Sequence, residues 1–139
     1  MEEILNTIKI INDTYEKCYV YYHPAHTNKS AKKTFMNGYC YEYYKILKFF
    51  YPKAILVIQN DKMHTACLIN NDIYDASGKR TDNYNFHIAT GSDIEYIYKY
   101  YAKFSVGFND YLFKNVIKDV YDNKKEKMNS NNVLKLIRK

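Results

Sequence analysis

A cysteine, a histidine and an aspartate follow one another at Cys40, His64 and Asp75. These are the residue types of a thiol nucleophile: a thiolate to attack, an imidazole to take its proton and a carboxylate to orient the ring. Cys40 comes two residues after Gly38 and opens a segment in which Tyr43, Tyr44, Leu47, Phe50 and Tyr51 recur at helical spacing, with Glu42, Lys45 and Lys48 on the other side. Pro52 ends that helix, because the residue before a proline is pushed out of the α region and the ring cannot continue the hydrogen-bond ladder. The spacing places Cys40 in the first helical turn, where unpaired backbone amides and the helix dipole favour the thiolate.

The other two residues fall on strands. Ala54 to Gln59 is an apolar run rich in β-branched residues, followed by the turn-like Asn60-Asp61. Met63 to Ile69 reads as the next strand, with His64 near its start, and Ile73 to Ala76 as a third before Ser77-Gly78. A two-residue loop at Asn71-Asp72 would pair Asn70 with Ile73 and set Asp75 opposite Leu68, on the face of His64 but about two pairs displaced. Contact with His64 then needs a bulge, twist or longer loop, and Ser77 or Asn71 are alternatives for orienting the ring.

Helix-borne Cys40, His64 followed by Thr65-Ala66-Cys67-Leu68, and Ile73-Tyr74-Asp75-Ala76 resemble the papain-like cysteine peptidase superfamily, above all its circularly permuted NlpC/P60 and transglutaminase-like branches. The resemblance implies that Cys40 is the nucleophile, His64 its base and Asp75 the orienting group. It also implies a thiol-dependent acyl hydrolase or acyl transferase acting on peptide, isopeptide or glutamine amide bonds, with no cofactor. No clear oxyanion-hole side chain accompanies these motifs, so the Cys40 backbone amide and a neighbour are left for that role.

Around this stretch the pattern predicts an α+β fold: a small antiparallel sheet packed against the nucleophile-bearing helix, with flanking N- and C-terminal helices. Ile4, Leu5, Ile8 and Ile11 mark a short first helix, while Asp13 to Tyr22 suits strand or helix equally. Ala25 to Met36 reads as a polar, basic loop or short helix. Tyr84, Phe86 and Ile88 alternate as a last strand, and Ser92 with Glu95 forms a capping box for a helix through Tyr101. Beyond a break near Gly107, Asn109 or Asp110 would cap a helix carrying Leu112, Phe113, Val116, Ile117 and Val120. Residues 1–123 form one domain. The basic stretch 124–139 is a partly flexible tail in which Val133, Leu134, Leu136 and Ile137 suit a short final helix.

Other chemistry-bearing residues have plainer readings. Cys67, between apolar neighbours on the face opposite His64, reads as core. Asp75 could equally cap the turn at Ser77-Gly78. His87 is the rival base should His64 be buried. Cys18, His23 and His26 lack a fourth ligand at recognisable spacing, so no metal site is expected.

The chain has 139 residues, a formal charge of +6, seventeen tyrosines, no tryptophan and three cysteines. An odd number of cysteines and the lack of a hydrophobic leader point to a reducing cytoplasm, and no apolar run is long enough to span a membrane. Lys29, Lys32, Lys33 and the tail suit an acidic or nucleic-acid-associated partner, though solvated lysines explain the charge as simply. The alternative to a thiol enzyme with a protein or peptide substrate is a non-catalytic binding protein on the same fold. A small phage-type inhibitor of a host protein or nucleic-acid machine would be of this kind.

Overall fold

The structure, a computed structural model, describes residues 2–22, 29–105 and 114–125. Helix α1 runs unbroken over Glu2–Tyr22. Its core positions Ile4, Ile8, Ile11 and Tyr15 are all buried, so one stripe at helical spacing crosses the ambiguous stretch. Extending an existing helix fixes one residue per hydrogen bond, and this overrides the strand propensity of the aromatic run. Helix α2, Ala31–Phe35, starts at Ser30, whose side chain accepts from the Lys33 amide. The Phe35 ring packs against Tyr15 and Tyr43, with centroids 5.0 and 4.9 Å away.

Gly38 has φ +99°, a left-handed conformation that glycine adopts without strain, and it turns the chain into helix α3, Cys40–Phe50. Tyr43, Ile46 and Leu47 are the buried face of α3, while Tyr44, Phe50 and Tyr51 pack at its margin. Glu42 departs from the expected polar side: it is buried and ion-paired with Lys45 at 2.6 Å. A lysine three residues on can reach back over the carboxylate and keep it charged under cover. At the far end, the Lys48 ammonium donates to the carbonyls of Pro52 and Ala54 and so neutralises the negative end of the helix.

Five antiparallel strands follow: β1 Ile55–Gln59, β2 Thr65–Ile69, β3 Asp72–Asp75, β4 Gly78–Lys79 and β5 Phe86–Ile88, in the spatial order β4-β3-β2-β1-β5. The β2–β3 loop is Asn70-Asn71, not Asn71-Asp72. Both asparagines have positive φ, 50° and 70°, as a two-residue type I′ hairpin requires. Asparagine tolerates that region better than most residues. Ile69 therefore pairs with Asp72, and Cys67 with Tyr74. Cys67, Ile69 and Tyr74 join α1, α2 and α3 in the main core, while Val57, Ala66, Ile73 and Phe86 make a smaller cluster.

Helix α4, Gly91–Ser105, is opened by Thr90 and Asp93 and not by Ser92 and Glu95. The Thr90 hydroxyl accepts from the Asp93 amide, and the Asp93 carboxylate accepts from the Thr90 amide. The reciprocal box thus sits two residues earlier than expected, with Asp93 making the return bond that glutamate or glutamine makes in the usual box. A fifth helix, α5, covers 114–125, with Val116, Ile117 and Val120 buried as expected. Asn123 donates to Thr14 and Lys124 to Thr7, each at 2.7 Å. The readings placed on His23, His26, Gly107, Asn109, Asp110, Leu112, Phe113 and the apolar positions of 133–137 lie outside the described residues. No described helix is long and apolar enough to cross a membrane.

Candidate active site

The hairpin register sets the geometry. Continuing the β2–β3 pairing places Asp75 opposite Ala66, on the face of His64 and one diagonal step from it, closer than the offset expected from a later loop. His64 lies just ahead of β2, where its carbonyl accepts from the Gln59 amide at 2.8 Å. Its Nε2 and the Asp75 Oδ2 are 2.8 Å apart, both side chains buried. No bulge is needed, because an imidazole spans the diagonal.

Asp75 makes both contacts that its position suggested. Its Oδ1 accepts from the amide and hydroxyl of Ser77, closing the turn, while Oδ2 faces His64. Arg80 Nη1 donates to the same Oδ2 at 3.2 Å. The Arg80 guanidinium is itself gripped by Asp82 at 2.9 and 2.8 Å and lies over the Phe86 ring. Burial works against the Asp75 charge, yet the hydrogen bonds from His64 and Ser77 carry its carboxyl below the ordinary value.

Cys40 opens α3 and is 3 % exposed. Tyr39, at the N-cap, makes no side-chain cap to that first turn. The Thr65 amide donates to Cys40 Sγ at 3.5 Å, which sets the thiol beside the residue that follows His64, and the thiol and the imidazole act on each other electrostatically. With Nε2 held by Asp75, Nδ1 is the nitrogen left to face the sulfur. Burial pushes the thiol up, but His64, and after it Thr65, whose amide donates to the sulfur, bring it below its ordinary value. His64 moves the opposite way: burial lowers it, while Asp75 and Cys40 push it up to about 9. The two shifts run in opposite directions, as coupling between a thiol and an imidazole produces.

Cys67 is different. It is fully buried, its Sγ donates only a long 3.8 Å contact to the Tyr44 carbonyl, and burial drives its thiol well above the ordinary value. His87 is held on both nitrogens, Nδ1 by Asn60 Oδ1 at 2.7 Å and Nε2 by Asp93 Oδ2 at 2.8 Å. It has no nitrogen left for a thiol. Thr65 and Arg80 are the site residues that the sequence reading missed. Thr65 had a signal, as the neighbour of His64 on a strand facing the cysteine helix; Arg80 sat in a stretch with no periodicity. Among the described residues no three His, Cys, Asp or Glu side chains converge to hold a metal ion.

A family model described as Phage YunG-like protein matches residues 17–118. The chain belongs to that family. The match takes in α2, α3, the whole sheet and α4, and with them Cys40, His64 and Asp75. It corrects the resemblance drawn from the sequence: the family is Phage YunG-like, not the papain-like cysteine peptidases or their NlpC/P60 and transglutaminase-like branches. The reason is physical. A cysteine at a helix start and a histidine and an aspartate on adjacent strands form a short pattern that unrelated chains reach independently, so it speaks of geometry and not of descent. No curated protein and no solved structure matches the chain.

Proposed function

We propose that this Phage YunG-like protein is a thiol-dependent acyl hydrolase or acyl transferase working through Cys40, His64 and Asp75 on peptide, isopeptide or glutamine amide bonds. The observation that supports the reading is the buried His64–Asp75 pair beside Cys40, whose sulfur accepts from the amide of Thr65, with the thiol lowered and the imidazole raised. His64 Nδ1 takes the Cys40 proton, and Sγ forms a bond to the acyl carbon while the carbonyl π pair moves to oxygen. The α3 N-terminal amides face that oxyanion. Collapse breaks the carbon–nitrogen bond, and the leaving amine takes its proton from the His64 imidazolium. Water or an acceptor amine, deprotonated by His64, then cleaves the Cys40 thioester. Reduced thiol chemistry of this kind suits a host cytoplasm.

A second reading has its own support. The family description names phage proteins, and Cys40 and His64 are 3 % and 6 % exposed while Met63, Tyr84 and Tyr98 stand largely in solvent. On that reading the protein binds an acidic or nucleic-acid-associated partner through exposed tyrosines and Lys29, Lys32 and Lys33, and the buried triad is structural.

A small active ester such as p-nitrophenyl acetate separates the two. The enzyme reading expects an acetyl group on Cys40 in the intact mass spectrum, formed with a burst of nitrophenol and absent from Cys40→Ala. Acylation of Cys40 no faster than of Cys67 contradicts it and leaves the binding reading.

A further inference from the structure

Thr65 is fully buried beside the Cys40 sulfur. Its amide donates to Sγ at 3.5 Å, but its hydroxyl, with Oγ1 sealed from solvent, completes no hydrogen bond. A buried hydroxyl without a partner is costly, and valine would fill the same volume without that cost. The cost is offset if a charge appears within the hydroxyl's reach. The sulfur of Cys40 is that atom: as a thiol it is a weak acceptor, as a thiolate a strong one.

We propose that Thr65 is a positioning residue for the Cys40 thiolate, its amide fixing the sulfur and its hydroxyl rotating to donate to Sγ once the proton has passed to His64. The inference rests on the reading of Cys40 as a nucleophile. It assigns Thr65 what His64 cannot supply, a neutral donor that holds the negative sulfur without competing for the proton. His64 and Thr65 are consecutive, so their backbones present base and donor to one atom from a single strand start.

The test is the alkylation of Cys40 by iodoacetamide against pH, followed residue by residue with mass spectrometry, in the parent, Thr65→Val and Thr65→Ser. Thr65→Val, which keeps the amide and the volume, is expected to move the midpoint of thiolate formation upward and slow alkylation at neutral pH about tenfold. The limiting rate at high pH should be unchanged. Thr65→Ser should restore the parent midpoint. Thr65→Ala supplies the same comparison should the valine fail to fold. A parent-like midpoint in Thr65→Val, or in Thr65→Ala, overturns the assignment of Thr65 while leaving Cys40 a nucleophile. Parent Cys40 reacting no faster than Cys67 overturns both.

Discussion

Two histidine–aspartate pairs stand at the margins of the sheet with the same 2.8 Å separation, His64–Asp75 and His87–Asp93, and their surroundings make them different devices. Around His64 both partners are buried, and the second ring nitrogen is left for a thiol. Around His87 the histidine side chain is 39 % exposed and its second nitrogen is closed by Asn60. Asp93 is occupied by the α4 cap through Thr90, whereas Asp75 is occupied by Ser77 and Arg80, which hold it charged and aimed. A carboxylate beside an imidazole is therefore not enough to make a base. What matters is where the other nitrogen points and how dry the pair is.

Deleting each histidine should give the largest contrast. His64→Ala is expected to slow the alkylation of Cys40 at neutral pH by about a hundredfold, and His87→Ala by less than about twofold. Site-resolved mass spectrometry reads both. If acyl transfer is detected, Cys40→Ala and His64→Ala should each abolish it, with the double mutant scarcely worse than either, because nucleophile and base act as one unit.

The aspartates should differ next. Asp75→Asn is expected to slow Cys40 alkylation about tenfold and to lower stability by about 1–3 kcal/mol, since Arg80 loses its anion and the Ser77 turn its charged acceptor. Asp93→Asn should lower stability by about 1 kcal/mol through the weakened cap and leave the thiol unchanged. Chemical denaturation with parallel labelling measures both.

The smallest effects lie in the pH dependence of stability. His64, raised in the folded state to about 9 from 6.5, contributes stability that is full below the lower value and fades as pH rises through the upper one. Asp75, depressed from 3.8, contributes stability that is present above that value and is lost as pH falls through its folded value. Denaturation midpoints across pH should therefore fall at both ends, the alkaline fall shrinking in His64→Ala, since buried Cys67 also contributes to it, and the acid fall shrinking in Asp75→Asn.

Much of this contrast could be read from residues alone. Period-3.6 patterning up to Pro52 and β-branched runs after it give the α3–sheet arrangement, because burying one face of each element needs the other. The order of Cys40, His64 and Asp75 and the turn chemistry between them bring these residues forward as candidates, and the structure pairs His64 with Asp75. The register did not follow, because Asn70-Asn71-Asp72 offers two adjacent two-residue loops and only the backbone dihedrals choose between them. One residue of slip decides how far Asp75 stands from His64. Nor could sequence tell His64 from His87, since Asn60 closes the His87 ring from across the sheet. The family escaped for a different reason: three residues suffice to suggest a chemistry but carry too little of the chain to establish kinship.

The central claim is that Cys40 and His64 share a proton in the folded protein, and the ultraviolet absorbance of the thiolate against pH tests it most directly. The account expects one thiolate to appear below the ordinary cysteine value of 9.0, to vanish in Cys40→Ala, to move upward in His64→Ala and to stay in place in His87→Ala. A first thiolate that appears only at or above 9.0, and is indifferent to His64→Ala, would contradict it.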